Sequence, residues 1–141
     1  MFQFNKQVAM KDGNIYILDL DFEYKLWKNK LIFYKSEVEL LIDRIYVLER
    51  EKEGYEIDEG NLNQLKAQLE SIDMLYKKIT TMEQEMSFYA EDYPIDRRHL
   101  HYETHELIRE DVQDIDDVQK TIMAEIYPGL CYPLNINEGG K

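Results

Sequence analysis

Apolar residues recur at alternating steps of three and four along the segment from Asp19 to Glu53. This spacing places them on one side of an α-helix, because a helix turns once every 3.6 residues or so. It predicts a helix over residues 20–52, about 50 Å long at a rise of about 1.5 Å per residue. A helix of that length cannot bury its stripe alone, so the pattern also predicts partner helices. The stripe comprises Tyr24, Trp27, Leu31, Tyr34, Val38, Leu41, Ile45 and Leu48.

Two further segments carry helical patterns. The second helix is predicted over residues 62–90, before Pro94 stops it. The third is predicted over residues 97–127, with Asp96 as its cap and Leu100, Leu107, Ile108, Val112, Ile115, Val118, Ile122 and Ile126 on its apolar face. In the second helix the stripe takes two successive steps of three around Ile72 and Leu75, counted from Leu69. That shift favours globular bundle packing over a long regular coiled coil.

The ends of the chain have a different pattern. Asp12-Gly13 lies between alternating apolar residues and is a hairpin signal, so residues 1–18 are predicted to form a short β-hairpin or an extended arm. Apolar residues alternate again in residues 128–141, which predicts an extended tail docked on the helices. These residues are Leu130, Tyr132, Leu134 and Ile136.

Three long helices joined by short connections predict an all-α fold, an antiparallel bundle of three helices that run up-down-up. We expect residues 1–141 to form one helical-bundle domain. A fourth helix is usual for this geometry, and a second copy of the chain could supply it. The first helix has surplus apolar residues outside its main stripe, which favours a homodimer unless the terminal segments cover them. These candidate interface residues are Leu26, Ile32, Phe33, Ile42 and Tyr46.

Charge narrows the choice of partner. The chain has 29 acidic and 17 basic residues, a net charge of −12. This charge argues against nucleic acid or an anionic membrane surface as the partner. It is compatible with a basic protein, although an acidic surface also simply keeps a protein in solution. The single cysteine, Cys131, cannot form an internal disulfide, and no segment has the roughly 20 apolar residues of a membrane span. The N-terminal sequence lacks a signal-peptide pattern, so we expect a soluble cytoplasmic protein.

The three histidines, His99, His101 and His105, lie together near the start of the third helix. His101 and His105 are four residues apart, so both project from one face, whereas His99 is expected to point elsewhere. Folding about the second turn brings Glu83 to the level of His105. Two histidines and a carboxylate could hold zinc or non-haem iron. The alternative is that His101 and His105 lie at the rim of the core and extend to water.

Two other features have structural interpretations. Asp111 lies centrally on the apolar face of the third helix, where a hydrogen bond from Tyr76 would stabilise its carboxylate. Aromatic residues gather near the histidines, and we expect them to close one end of the bundle, with binding of a partner as the alternative. These residues are Tyr24, Trp27, Phe88, Tyr89, Tyr93 and Tyr102.

Catalytic and cofactor motifs are absent from the sequence: it contains no Gly-x-Gly-x-x-Gly, no P-loop, no Gly-x-Ser-x-Gly and no Glu-x-x-His. We therefore expect no cofactor and a non-enzymatic interaction or assembly protein that acts through apolar helix faces. The first alternative is a metal-binding bundle, a sensor or an enzyme, that uses His101, His105 and Glu83. The second is an acidic inhibitor or chaperone of a basic protein, whose binding would weaken with salt.

Overall fold

The structure, a computed structural model, describes residues 15–131. It confirms the predicted all-α fold with three long helices. The elements in chain order are β1 (Ile15–Tyr16), α1 (Ile17–Glu51), α2 (Glu59–Met86), β2 (Pro94–Ile95), α3 (Leu100–Glu125) and a 3-10 turn (Tyr127–Leu130).

Local sequence explains where the helices begin and end. Gly54 follows α1 with a φ of 86°, a conformation that glycine adopts without a steric penalty. Asp58 caps α2, because its Oδ1 accepts a hydrogen bond from the amide of Asn61 at 3.0 Å. Asp96 accepts one from the amide of Arg98 at 2.7 Å, ahead of α3. The observed ends differ from the predicted ones by one to four residues.

The two short strands form a small antiparallel sheet, in which Ile15 faces Ile95 and Tyr16 faces Pro94. The pairing continues into the first turn of α1, where the amide of Ile17 donates to the carbonyl of Tyr93 at 3.1 Å. The predicted hairpin around Asp12-Gly13 lies outside the described residues. The strand partner of Ile15 is therefore the connection between α2 and α3, which is distant in sequence.

The described chain divides into two compact units, and each contains segments of all three helices. Unit 1 comprises described residues 15–29 and 75–112, and unit 2 comprises described residues 30–74 and 113–131. The predicted single domain stays a prediction.

Within unit 1, α1 and α2 are antiparallel, because Leu18 contacts Glu91 whereas Lys28, further along α1, contacts the earlier residue Glu83. Within unit 2, α1 and α3 are parallel, because Tyr34 bonds Asp116 and Glu37 bonds Gln119. The helix directions in the units are those of the predicted up-down-up arrangement.

Buried positions along α2 and α3 differ from the predicted stripes. On α2, Gln68 is 3% exposed and takes the place assigned to Leu69, which is only partly buried. With Gln68 included, the steps of three and four continue without a shift from Leu65 to Met86. On α3, Leu100 and Leu107 are exposed rather than buried. The buried line there is His101, His105, Ile108, Val112, Ile115, Gln119, Ile122 and Ile126.

Unit 2 has an apolar core in which residues of all three helices meet. The 3-10 turn closes this core with Leu130, which is 8% exposed and whose carbonyl accepts a hydrogen bond from Arg44 Nε at 3.1 Å. The rest of the predicted extended tail, from Tyr132 onwards, lies outside the described residues. The core residues are Val38, Leu41, Ile45, Leu48, Leu62, Leu65, Ile122, Ile126 and Leu130.

None of the helices between Ile15 and Cys131 has enough length and apolar character to cross a membrane.

Candidate functional site

The carboxylate of Glu23, in α1 of unit 1, is hydrogen-bonded to the side chains of two α3 residues, His105 and Arg109. His105 Nε2 lies 2.7 Å from Glu23 Oε1, and Arg109 Nη1 lies 3.0 Å from Glu23 Oε2. Burial alone would raise the pKa of Glu23, but the hydrogen bonds from His105 and Arg109 outweigh it and lower that pKa to about 2. Glu23 is therefore ionised at neutral pH and accepts both hydrogen bonds, so that it joins α1 to α3.

Aromatic rings surround the His105 side chain, which is only 1% exposed. Its ring lies 4.5 Å from the Tyr24 ring and 4.8 Å from the Trp27 ring, measured between centroids. The guanidinium of Arg109 lies over the Trp27 ring, 5.2 Å from its centroid. His105 thus belongs to the core of unit 1, and the prediction that it lies at a rim open to water is wrong.

Glu83, the third residue of the predicted metal site, has a different partner. Its Oε1 accepts a hydrogen bond from Lys28 Nζ at 2.8 Å, and the same ammonium lies 4.9 Å from the centroid of the Tyr76 ring. The hydrogen bond to Glu83 raises the pKa of Lys28. Among residues 15–131 no group of three or more His, Cys, Asp or Glu side chains is placed to hold a metal ion. The site of His101, His105 and Glu83 remains a prediction from sequence alone.

His101 lies in a second aromatic cluster of unit 1. Its ring is 5.3 Å from the Tyr89 ring and 5.2 Å from the His99 ring, so the expectation that His99 points elsewhere is wrong. His101 is 7% exposed, and burial lowers its pKa, helped by the charge of His99. Among the described residues, the ring nitrogen Nδ1 of His101, like that of His105, is buried and has no hydrogen-bond partner.

The other aromatic predictions have mixed outcomes. Tyr93 packs against Tyr89 at 4.8 Å, as expected for residues that close one end of the helices, whereas Phe88 is 90% exposed. Asp111 is about half exposed and pairs with Lys78 at 3.9 Å. Its predicted burial beside Tyr76 is therefore wrong.

A polar pair crosses the core of unit 2, and sequence periodicity did not reveal it. Gln68 Nε2 donates to Gln119 Oε1 at 3.0 Å and to the Ile115 carbonyl at 3.1 Å. Gln119 Nε2 in turn donates to Glu37 Oε1 at 2.9 Å. Both glutamines are 3% exposed, so these bonds provide partners for amide groups that would otherwise be costly to bury. Side chains on three helices are joined in one chain of hydrogen bonds.

Beside this polar pair, α1 and α3 of unit 2 border an open groove of about 440 Å³. Tyr34 is held at the groove by a hydrogen bond that its hydroxyl donates to Asp116 at 2.6 Å. Glu37 lies on the α1 edge and Lys120 on the α3 edge. The lining residues are Tyr34, Glu37, Gln119, Lys120, Met123 and Ala124.

Four of the five predicted interface residues are exposed. In unit 2, Ile32 is 53% exposed, Phe33 59% and Tyr46 37%. Leu26, in unit 1, is 47% exposed. Ile42 does not belong to this exposed set, because it is partly buried against the core cluster of unit 2.

Leu40 is an exposed apolar residue on α1 of unit 2 that sequence analysis missed. It is 65% exposed and lies seven residues after Phe33, so the two side chains occupy the same face of α1. Helical periodicity could have predicted its exposure, because Phe33 and Leu40 lie on the opposite side of α1 from Tyr24 and Leu31. We call Ile32, Phe33 and Leu40 the outer ridge.

Comparisons of the chain with protein-family models, with curated proteins and with solved structures each found no match.

Proposed function

We propose that the protein is a non-enzymatic protein–protein interaction or assembly protein that acts through the apolar outer face of α1. The observation that carries this proposal is the outer ridge, whose three side chains are each more than half exposed. Exposed apolar residues that cluster on one helix face are typical of interaction surfaces, whereas isolated ones are common on any protein. Ionic and hydrogen-bonded partners already occupy Glu23, Glu83 and His105, which favours a structural role for those groups.

The partner that we propose is a second copy of the chain, so that the protein acts as a homodimer. Helix α1 offers the same apolar ridge on each copy, and a two-fold dimer brings identical surfaces together. A cytoplasmic location fits the single cysteine, because a thiol needs no disulfide partner in a reducing compartment.

Replacement of the ridge by polar side chains tests this function. We expect the double variant Phe33→Gln, Leu40→Gln to dimerise at least about tenfold more weakly, because it removes two large apolar side chains from the interface. Glutamine is a good helix former and leaves the net charge unchanged. The dissociation constant would be measured by sedimentation equilibrium of the full chain over a range of concentrations.

Met74→Gln is the matched control, because Met74 is 67% exposed in unit 2 but lies on α2. It should leave the dissociation constant unchanged. A parent protein that remains a monomer at every concentration would contradict the proposed homodimer. So would a ridge variant that dimerises as tightly as the parent.

A metal-binding sensor is retained as a second candidate because of the two buried ring nitrogens, Nδ1 of His101 and Nδ1 of His105, which have no hydrogen-bond partner among residues 15–131. Stoichiometric metal in the purified protein, lost on His101→Ala, would favour this candidate over an assembly protein.

A further inference from the structure

We propose that the open groove between α1 and α3 of unit 2 receives α1 of a second copy of this chain, with Phe33 and Leu40 of that copy inserted into it. The inference rests on the proposed function and adds to it the site on the partner that the outer ridge contacts. Each copy would then contribute one ridge and one groove.

The shape and chemistry of the groove fit apolar side chains. Tyr34 and Met123 are half-buried and offer apolar surface, while the small side chain of Ala124 leaves room above α3. The groove has a volume of about 440 Å³ and is open to solvent. An apolar helix face that lies in such a groove is a common mode of recognition between proteins.

The ridge and the groove have similar lengths. Phe33 and Leu40 are seven residues apart, which is about 10 Å along the helix at 1.5 Å per residue. The α3 edge of the groove runs from Gln119 to Ala124, about 8 Å by the same rise. Both features are at the same level of α1, because Glu37 lies between Phe33 and Leu40 and also lines the groove. An antiparallel two-fold pairing of the two α1 helices would bring each ridge to the other groove.

Charge at the groove favours a second copy over a basic protein. Glu37 lies on one edge and Lys120 on the other, and the Lys120 ammonium makes no ion pair or hydrogen bond with residues 15–131. In the two-fold pair, Lys120 of one copy approaches α1 of the other, which carries Glu37. A basic partner would instead meet the positive charge of Lys120 at this place.

Two-fold pairing would enlarge the contact beyond the ridge alone. A stable interface buries about 800 Å² on each partner. The three ridge side chains alone would fall short of that area, since an apolar patch on a monomer rarely exceeds a few hundred Å². In a two-fold dimer each copy buries both its ridge and its groove in the same interface.

The test fills the groove without altering the ridge. Ala124 is exposed, so Ala124→Trp should leave the fold of the chain intact while its indole ring occupies the space meant for the partner. We expect dimerisation to weaken by at least about tenfold in sedimentation equilibrium of the full chain. The matched control is Glu125→Trp, which places the same ring at the next exposed residue, outside the groove. It should dimerise as the parent does.

Lys120→Glu is a second groove variant. It replaces Ala124→Trp in the test if Ala124→Trp lowers the melting temperature of the protein. It should also weaken the dimer, because two acidic edges would then face each other. A folded groove variant that dimerises as tightly as the parent would contradict the proposed role of the groove. An equal loss of dimer affinity in Ala124→Trp and Glu125→Trp would contradict it as well. If the ridge variant still weakens the dimer in that case, the proposed function stands without the groove. A monomeric parent would overturn both.

Discussion

Some charged residues in this protein are held by partners on other helices, and Glu23 shows the consequence for stability. Its carboxylate accepts hydrogen bonds from His105 and Arg109, which favour the ionised form strongly enough to lower its pKa to about 2. In an unfolded chain the pKa of a glutamate is about 4.3. Folding is therefore favoured by ionised Glu23 above that value, and this contribution is lost as the pH falls from there towards 2.

Replacement of this carboxylate should make the protein less stable at neutral pH and less sensitive to acid. We expect Glu23→Gln to lower the free energy of unfolding by about 2 kcal/mol at pH 7, the usual scale for hydrogen bonds to a charged group. The difference in that free energy between pH 6 and pH 3 should shrink in the variant. Urea unfolding followed by circular dichroism at the two pH values measures both effects.

Glu106→Gln provides the control for this prediction. Glu106 bonds the same guanidinium, Arg109, at 3.2 Å, but its side chain is 39% exposed, and exposed pairs contribute little. It should change the free energy of unfolding by less than about 0.5 kcal/mol. An acid response that is the same in Glu23→Gln and in the parent would show that the low pKa of Glu23 does not contribute to stability.

At the scale of the helices, the buried positions follow a heptad pattern in which polar residues take some of the core places. Gln68 and Gln119 are such residues, and their amides bond each other across unit 2. A buried polar pair contributes little net stability compared with an apolar pair of the same size, but it penalises every arrangement that separates its members. We expect this pair to set the register between α2 and α3.

A double-mutant cycle would measure the coupling between the two glutamines. Gln68→Leu and Gln119→Leu should each lower the free energy of unfolding by about 1–3 kcal/mol, because each removes the hydrogen bond that joins the two buried amides. The double variant should lose less than the sum of the two single changes. Urea unfolding of the four proteins gives the coupling energy, and strict additivity would mean that the hydrogen bond of 3.0 Å has no energetic role.

Local sequence rules predicted the helix ends well because each end depends on neighbouring residues. Asp58 caps α2 from just outside the helix, and Gly54 supplies the positive φ after α1. The strand pair of Ile15 with Ile95 could not be predicted in this way, since its members are 80 positions apart in the chain. Turn signals near Asp12 indicate a reversal of the chain but carry no information about a partner so far along it.

For the molecule as a whole, the net charge of −12 opposes association of two copies at low ionic strength. Added salt screens that repulsion, with a Debye length of about 10 Å at 0.1 M. We therefore expect the homodimer to become tighter, or to keep its affinity, when sodium chloride is raised from about 50 to about 500 mM. Sedimentation equilibrium at the two salt concentrations measures this response.

The response to salt separates the homodimer from the alternative of an acidic inhibitor or chaperone. Binding of a basic protein would weaken steeply as the salt concentration rises. The ridge variant Phe33→Gln, Leu40→Gln has the parent's net charge, so it controls for the charge effect. A parent dimer that dissociates in high salt would contradict an interface formed by the apolar ridge.

Some features of the candidate surfaces could be predicted from the sequence and others could not, and this distinction has a physical cause. Exposure of Phe33 and Ile32 followed from periodicity, because a residue's angle around its own helix is a local property. The burial of His101 and His105 did not follow, because a polar side chain is tolerated in a core only where other helices supply contacts. The groove was also not predictable, since its two edges belong to segments of α1 and α3 more than 80 residues apart.

The sequence by itself determined three helices, their approximate ends and the apolar side of each, because these depend on spacing within about one helical turn. Only the tertiary structure decided which neighbours each helix face meets. It buried Gln68 and Gln119 while leaving Leu100 and Leu107 exposed, and it placed Glu23 between His105 and Arg109. The free energy of such choices comes from groups on different helices, and no pattern within one helix contains it.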